Sequence, residues 1–322
     1  MKKKIDILCT IGPATLNKQF LKYSTKNISL LRLNMSHLSI DQLKKNIKYI
    51  KKYTKTPICI DTEGAQIRTK IKKSIFLKLG KNIKIYKNNF FFLYPEIIFF
   101  KLNPGDILDF GFKRLKIKLL NKRKDFFNCR VISQGYLENN KGVHVCNRKI
   151  KINFLTDKDF KAIEIGLKNK IKFFALSFTS SGKDIQKFNK ILPFQTKIFK
   201  IETALAITNL EKILKAGKNF LIDRGDLSKD ISIENLPLVQ RKICRLGKKY
   251  KKNIFVATNF LESMIENNYP TRGEVNDIYN TLEMGVKGLV LAAETAIGKY
   301  PIQSVILLKK IIKVYKLNNL ND

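Results

Sequence analysis

Acidic residues are scarce in this 322-residue chain, where 26 Asp and Glu stand against 63 Lys and Arg and leave a formal net charge of +37. Cysteine is scarce as well, and Cys9, Cys59, Cys129, Cys146 and Cys244 are odd in number, widely spaced and never paired as CxxC. That pattern argues against a disulfide framework and a zinc site, and reads as mostly buried thiols in a reducing compartment. No run is long and apolar enough to span a bilayer. The lysines that open MKKKIDILCT lead into a short strand interrupted by Asp6 rather than into a leader peptide. The expected location is the cytoplasm, with no membrane partner.

So large a basic excess ordinarily raises nucleic acid as a partner. Here the lysines are spread along the whole chain beside many Ile, Asn and Phe, residues of A/T-rich codons, and no nucleic-acid motif accompanies them. A biased genome accounts for this better than a selected basic patch. No specific nucleic-acid partner is expected, although such a field draws in anionic metabolites.

What the chain does have is regularity. Eight apolar, β-branched runs begin at Ile5, Ser29, Pro57, Phe173, Lys197, Phe220, Ile254 and Gly288, each followed by a stretch with helical spacing. Near-continuous apolar strands are what a parallel sheet buried on both faces requires, so the predicted fold is α/β, a (β/α)8 barrel. At or just beyond the strand ends lie Arg32 with Asn34, Asp61 with Glu63, Ser177, Lys200 with Glu202, Asp226, Thr258 and Glu294. Barrels of this kind carry their chemistry on that rim. Scarce carboxylates gathered on one rim of a basic protein point to a divalent cation bridging them to an anionic substrate.

The alternation breaks once. After DTEGAQIRT the pattern turns to short β-like runs, IFLKLG, NIKIYK, FFFLYP, DILDFG, RLKIKLL and FFNCRVIS, separated by Gly, Asn, Pro and Lys. The predicted organisation is barrel over 1–69, an inserted β-rich lid domain over 70–151 and barrel again over 152–322. Helical spacing returns at Thr156, where Thr-x-x-Asp reads as a capping box variant. PIQSVILLKKIIKVYK opens with Pro at a helix start.

Eight motifs in order, CTIGPAT, LRLNMSH, DTEGAQIRT, KIE, RGDL, ATNFLESM, PTRGEVND and ETAIGKYP, resemble those of pyruvate kinase over essentially the whole chain. The resemblance implies phosphoryl transfer from phosphoenolpyruvate to ADP, giving pyruvate and ATP in the last step of glycolysis, with Mg²⁺ (or Mn²⁺) and usually K⁺. It implies Lys200 and Arg32 as the phosphoryl clamps and Thr258 near the enolpyruvate carbon that takes up a proton. Glu202 and Asp226 match the Mg²⁺ carboxylates, and Gly225 and Asp226 the backbone that receives the substrate carboxylate. Asn34, Ser36, Asp61 and Thr62 match the K⁺ site, Arg68 and Lys141 are candidates for the nucleotide phosphates, and Glu294 and Ser177 support the reacting groups.

Four departures accompany the resemblance. Gln66 stands where K⁺-dependent members carry Glu and K⁺-independent members Lys. Ala292-Ala293 replaces Ser-Gly, which predicts slower protonation of enolpyruvate. Phe110 replaces one acid of an Asp-Asp-Gly. Asp223 replaces an alanine, placing a negative charge near an anionic substrate unless it points away or pairs with a lysine. The family's further C-terminal domain has no counterpart in the 322 residues, so sugar-phosphate allostery is not expected and any homodimer is expected to form through barrel contacts. The alternative is a catalytically impaired barrel remnant kept for binding or structure. Random decay should have struck Lys200, Glu202, Asp226, Arg32 and Thr258 as readily as loops, and all five are present.

Overall fold

Each of the eight apolar runs forms a short strand whose alternate residues face opposite ways. In the computed structural model, which describes residues 4–64, 66–111, 115–148, 150 and 152–318, these are β1 (Asp6–Thr10), β2 (Leu30–Asn34), β3 (Ile58–Asp61), β4 (Phe173–Leu176), β5 (Thr196–Ile201), β6 (Asn219–Asp223), β7 (Asn253–Ala257) and β8 (Gly288–Leu291). Every strand pairs in parallel with its sequence neighbours, and β8 returns to β1, closing an eight-stranded barrel.

Closure divides the strand residues into two sets. One set, Leu8, Leu30, Cys59, Ala175, Ile198, Leu221, Phe255, Ala257 and Val290, forms a single cluster drawn from all eight strands, which only the barrel interior permits. The other set, including Leu31, Ile60, Phe174, Phe199, Phe220 and Val256, is equally buried and meets the surrounding helices. Phe199 lies between Phe188 and Phe220, with ring centroids 6.2 and 5.9 Å away. Burial on both faces is why the strands read as unbroken apolar runs.

The helices start where the sequence offers a cap. Ser39 with Gln42 and Thr271 with Glu274 form reciprocal capping boxes for Ile40–Tyr53 and Arg272–Glu283, and Asn17 and Ser181 cap Lys18–Asn27 and Gly182–Ile191. Pro301 opens the helix Pro301–Asn318. Among the described residues no helix is long and apolar enough to cross a membrane.

The chain divides into two compact units, 1–64 with 157–322, and 65–156. The second is the β-rich insertion. It closes a seven-stranded barrel in the order Phe126–Ser133, Asn82–Tyr86, Phe91–Tyr94, Ile67–Ile71, Gly142–Val145, Ile107–Phe110 and Leu115–Lys122. Its core is its own, built on Phe91, Leu108, Phe110, Ile117 and Phe127. Ile67–Ile71 pairs with Phe91–Tyr94 and Gly142–Val145, so residues 67–69, expected in the barrel, cluster with the insertion. The expected end of the insertion at Lys151 lies outside the described residues.

Candidate active site

The rim follows from the barrel's own periodicity. Two residues beyond Leu8, Leu30, Cys59, Ala175, Ile198 and Leu221, all interior, stand Thr10, Arg32, Asp61, Ser177, Lys200 and Asp223. A strand repeats its facing every second residue, so these six form the next interior layer, at the C-terminal end of the strands. All six are buried.

Within this layer the charges interlock. Arg32 presents Nε and Nη2 to Asp61 Oδ2, both at 2.6 Å, and Nη1 donates to Thr10 Oγ1 at 3.2 Å. Lys200 Nζ lies 3.0 Å from Glu202 Oε2, 3.2 Å from Asp223 Oδ2 and 3.5 Å from Asp61 Oδ2, and donates to Ser177 Oγ at 3.3 Å. Burial alone would discharge both cations, but Asp61, Asp223 and Glu202 outweigh it and keep them charged well above the usual range. Ser177 in turn donates from Oγ to Asp61 Oδ1 and Thr62 O, and from its backbone N–H to Thr62 Oγ1.

Two buried cations thus face three buried carboxylates. The surplus falls on Glu202, whose acid burial pushes up to about 8, with Asp226 and Asp223 adding to the shift and Lys200 opposing it. Burial also disfavours the Asp223 carboxylate, but Lys200 and Arg32 prevail and hold it well below the usual range. Glu202 Oε1 accepts the Phe178 N–H, whereas Oε2 is buried and accepts no hydrogen bond, although Lys200 Nζ is nearby. Among the described residues Glu202, Asp223 and Asp226 offer ligand oxygens within 4.8 Å of one another. Three carboxylates offering hard oxygen donors so close together fit a small divalent cation such as Mg²⁺ or Mn²⁺.

Asp226 lies in the first turn of the helix Arg224–Asp230 and pairs with Lys229 at 2.5 Å. Gly225 precedes it where a Cβ would come within 2.9 Å of Thr258 Cγ2. Thr258 itself has φ +81°, outside the range a β-branched residue favours, and its hydroxyl donates to Asp223 Oδ1 at 2.9 Å. The turn is held from behind by Arg224, which donates from Nε and Nη2 to Thr258 O, pairs with Asp277 at 2.7 Å and stacks over Phe260.

Of the four residues matched to a monovalent-cation site, Asn34 Oδ1 accepts the Ser36 N–H, and the Asp61 carboxylate and Thr62 hydroxyl are engaged as described. The helix that follows is capped by Ser39, so neither Asn34 nor Ser36 serves as its N-cap. Glu294 is buried and accepts from the Leu261 and Ala292 N–H groups, fixing the loops after β7 and β8. Asp159, read as half of a capping box, directs its two oxygens to the Glu63 and Gly64 N–H groups. Gly64, at φ +71°, leaves only 2.7 Å between a would-be Cβ and Ser177 Cβ, so this turn requires glycine. Arg68 and Lys141 both belong to the inserted unit, where Gly142 lies opposite Arg68, and Lys141 Nζ is 3.7 Å from Glu138.

Asp223, Asp159 and Arg224 are the site residues that strand-end reading assigned no supporting role. The every-second-residue rule applied to Leu221 would have turned Asp223 inward; Asp159 and Arg224 act across long sequence separations that no local pattern reveals.

The family model described as "Pyruvate kinase, barrel domain" matches residues 2–305. The chain belongs to the pyruvate kinase family. The pyruvate kinase of Staphylococcus epidermidis (strain ATCC 35984) is 33% identical over 329 residues, covering 96% of this chain and 56% of the relative. That of Thermotoga maritima is 32% identical over 337 residues, 97% of this chain and 71% of the relative. Pyruvate kinase isozyme G of Nicotiana tabacum, a chloroplastic protein, is 33% identical over 324 residues, 94% and 57%. The chain therefore spans little more than half the length of most of these relatives.

Proposed function

We propose that this chain is a pyruvate kinase, moving the phosphoryl group of phosphoenolpyruvate to ADP. The enol P–O bond breaks, a P–O bond to the terminal ADP oxygen forms, and the released enolpyruvate gains a proton at carbon to become pyruvate. The observation that carries this reading is the buried Arg32–Asp61–Lys200–Glu202 constellation on one barrel rim. Phosphoryl transfer runs through a loose transition state with charge on its equatorial oxygens, so catalysis is chiefly cationic positioning. Lys200 and Arg32, held charged by their carboxylates and shielded from water, supply that positioning without reorganisation during the reaction.

Glu202 and Asp226 would hold the divalent cation, which when bound neutralises charge on the substrate's phosphate. Gly225 and Asp226 offer N–H groups to the substrate carboxylate, and Thr258 stands beside the carbon to be protonated. Ala292 and Ala293 bring no hydroxyl to that step, so protonation is the expected slow one. Arg68 and Lys141 are assigned to the nucleotide phosphates. Five free cysteines support a cytoplasmic setting.

The test is pyruvate formation from phosphoenolpyruvate and ADP with Mg²⁺, for wild type and Lys200→Met. The substitution is expected to lower kcat by about a hundred- to a thousandfold or more, on the scale of removing one preorganised transition-state donor. A folded wild type that forms no pyruvate overturns the reading in favour of a noncatalytic barrel. Repeating the assay with and without K⁺ reads out Asn34, Ser36, Asp61 and Thr62. Stimulation is expected of a working monovalent site, and independence means that Arg32, Lys200 and Ser177 already satisfy Asp61.

A further inference from the structure

Asp159 stands in the first turn of the helix Asp157–Lys168, where an acid ordinarily complements the helix dipole at the surface. It is buried instead, and both of its oxygens reach away from the helix. Oδ1 accepts the Glu63 N–H at 2.8 Å and Oδ2 the Gly64 N–H at 3.1 Å, 96 and 95 residues away in sequence. Lys158 beside it donates to Met35 O at 2.6 Å and to Glu63 Oε2 at 2.9 Å. Two consecutive residues thus hold the loops that follow β2 and β3. Burying a carboxylate costs free energy that such bonds offset, and the turn they hold is the one that carries Gly64 at φ +71°.

What that turn controls follows from one peptide group. The C=O of Thr62 and the N–H of Glu63 belong to the same planar unit and point opposite ways. Asp159 holds the N–H, and the C=O accepts the Ser177 hydroxyl at 2.6 Å. Ser177 Oγ has a single hydrogen, for which Thr62 O at 2.6 Å and Asp61 Oδ1 at 3.2 Å compete. The nearer carbonyl prevails, which leaves an oxygen lone pair for Lys200 Nζ at 3.3 Å. An N–H bonded to a carboxylate also polarises its own peptide and makes the carbonyl a better acceptor. We infer that Asp159 is a positioning residue for phosphoryl transfer: by fixing the Thr62–Glu63 peptide plane it sets the Ser177 hydroxyl, and through it the place of Lys200 Nζ. With the plane free to tilt, the serine hydrogen turns to Asp61, its lone pairs turn with it, and Lys200 loses a contact that centres it. The inference rests on the proposed role of Lys200.

Steady-state kinetics of the full chain on phosphoenolpyruvate and ADP, for Asp159→Asn, Ser177→Ala and the double variant, test it. The asparagine keeps the shape of the aspartate but turns an amide NH2 toward one of the two N–H groups, so the peptide plane loses its hold. The expected fall in kcat is about tenfold or more, since a misplacement on the order of 1 Å costs up to about a hundredfold. KM for phosphoenolpyruvate is expected to stay within about twofold, the split that marks an interaction made only in the transition state. In the Ser177→Ala background the same substitution is expected to change kcat by less than about twofold, because the serine that relays it is gone. A general loosening of the rim acts on both backgrounds alike. Lys158→Met, which removes the Glu63 side-chain and Met35 partners and leaves Asp159 in place, is expected to act in the same direction through the same serine, and serves if Asp159→Asn does not fold. Equal losses of kcat in the two backgrounds, or a raised KM with kcat intact, overturn the inference and leave the proposed function standing. So does wild-type kcat in Asp159→Asn. A folded wild type that forms no pyruvate overturns both.

Discussion

Thr258 shows how a single residue is held in a conformation it would not choose. Its positive φ is maintained by Arg224 on its carbonyl, by Asp223 on its hydroxyl, and by the absence of a side chain at Gly225. Gly225→Ala puts a methyl within 2.9 Å of Thr258 Cγ2, and neither residue can retreat without breaking one of those bonds. The expected loss of stability is about 1–3 kcal/mol, the usual range for overpacking, read from urea denaturation. Adding Thr258→Ser, which removes the offending methyl and keeps the hydroxyl, is expected to recover most of it. A Gly225→Ala protein as stable as wild type contradicts the account of this turn.

Among the elements, the helix Arg272–Glu283 carries the clearest pH signature. Glu274 accepts from the Ser263 N–H and hydroxyl and from the Thr271 N–H, and although burial disfavours its charge these bonds hold its acid below the usual carboxylate range. A depressed acid contributes stability that is present at neutral pH and lost as pH falls through its folded value. Glu274→Gln is therefore expected to destabilise by about 1 kcal/mol at pH 7, with the difference shrinking toward zero as acid protonates the wild-type residue. A difference that grows on acidification contradicts the assignment. This box, like that of Ser39 and Gln42, follows the pattern of Thr or Ser three residues before Glu or Gln, although sequence reading named only the one at Thr156. The eight barrel strands were legible, because burial on both faces leaves long apolar runs. Ile67–Ile71 and Gly142–Val145 were not, since IRTKI carries two charged residues and GVHV is only four residues long and includes a Gly and a His. At the site, Lys200, Glu202 and Arg32 could be placed from strand ends alone. The pairing of Asp223 with Lys200 depends on the register of β5 against β6, which no single strand reveals.

At the scale of the molecule, a chain of formal net charge +37 holds a rim layer with more carboxylates than cations. The outer field draws anions inward, while the inner layer favours a cation, a combination suited to a substrate carried as a metal-bound anion. The two units are separately organised, and the inserted seven-stranded barrel closes around Phe91, Phe110 and Phe127 without borrowing a core residue from elsewhere. A fragment spanning 65–156 is accordingly expected to give a β-type circular dichroism spectrum and a cooperative urea transition; a featureless spectrum and a gradual slope contradict its independence.

Phosphoryl transfer by the rim layer is the central claim, and single-turnover transfer from phosphoenolpyruvate labelled in its phosphate tests it most directly. With ADP and Mg²⁺, wild type is expected to place the label in the γ-phosphate of ATP while Lys200→Met leaves it on phosphoenolpyruvate. A folded wild type that leaves the label in place, or releases it as inorganic phosphate with no ATP formed, contradicts the account.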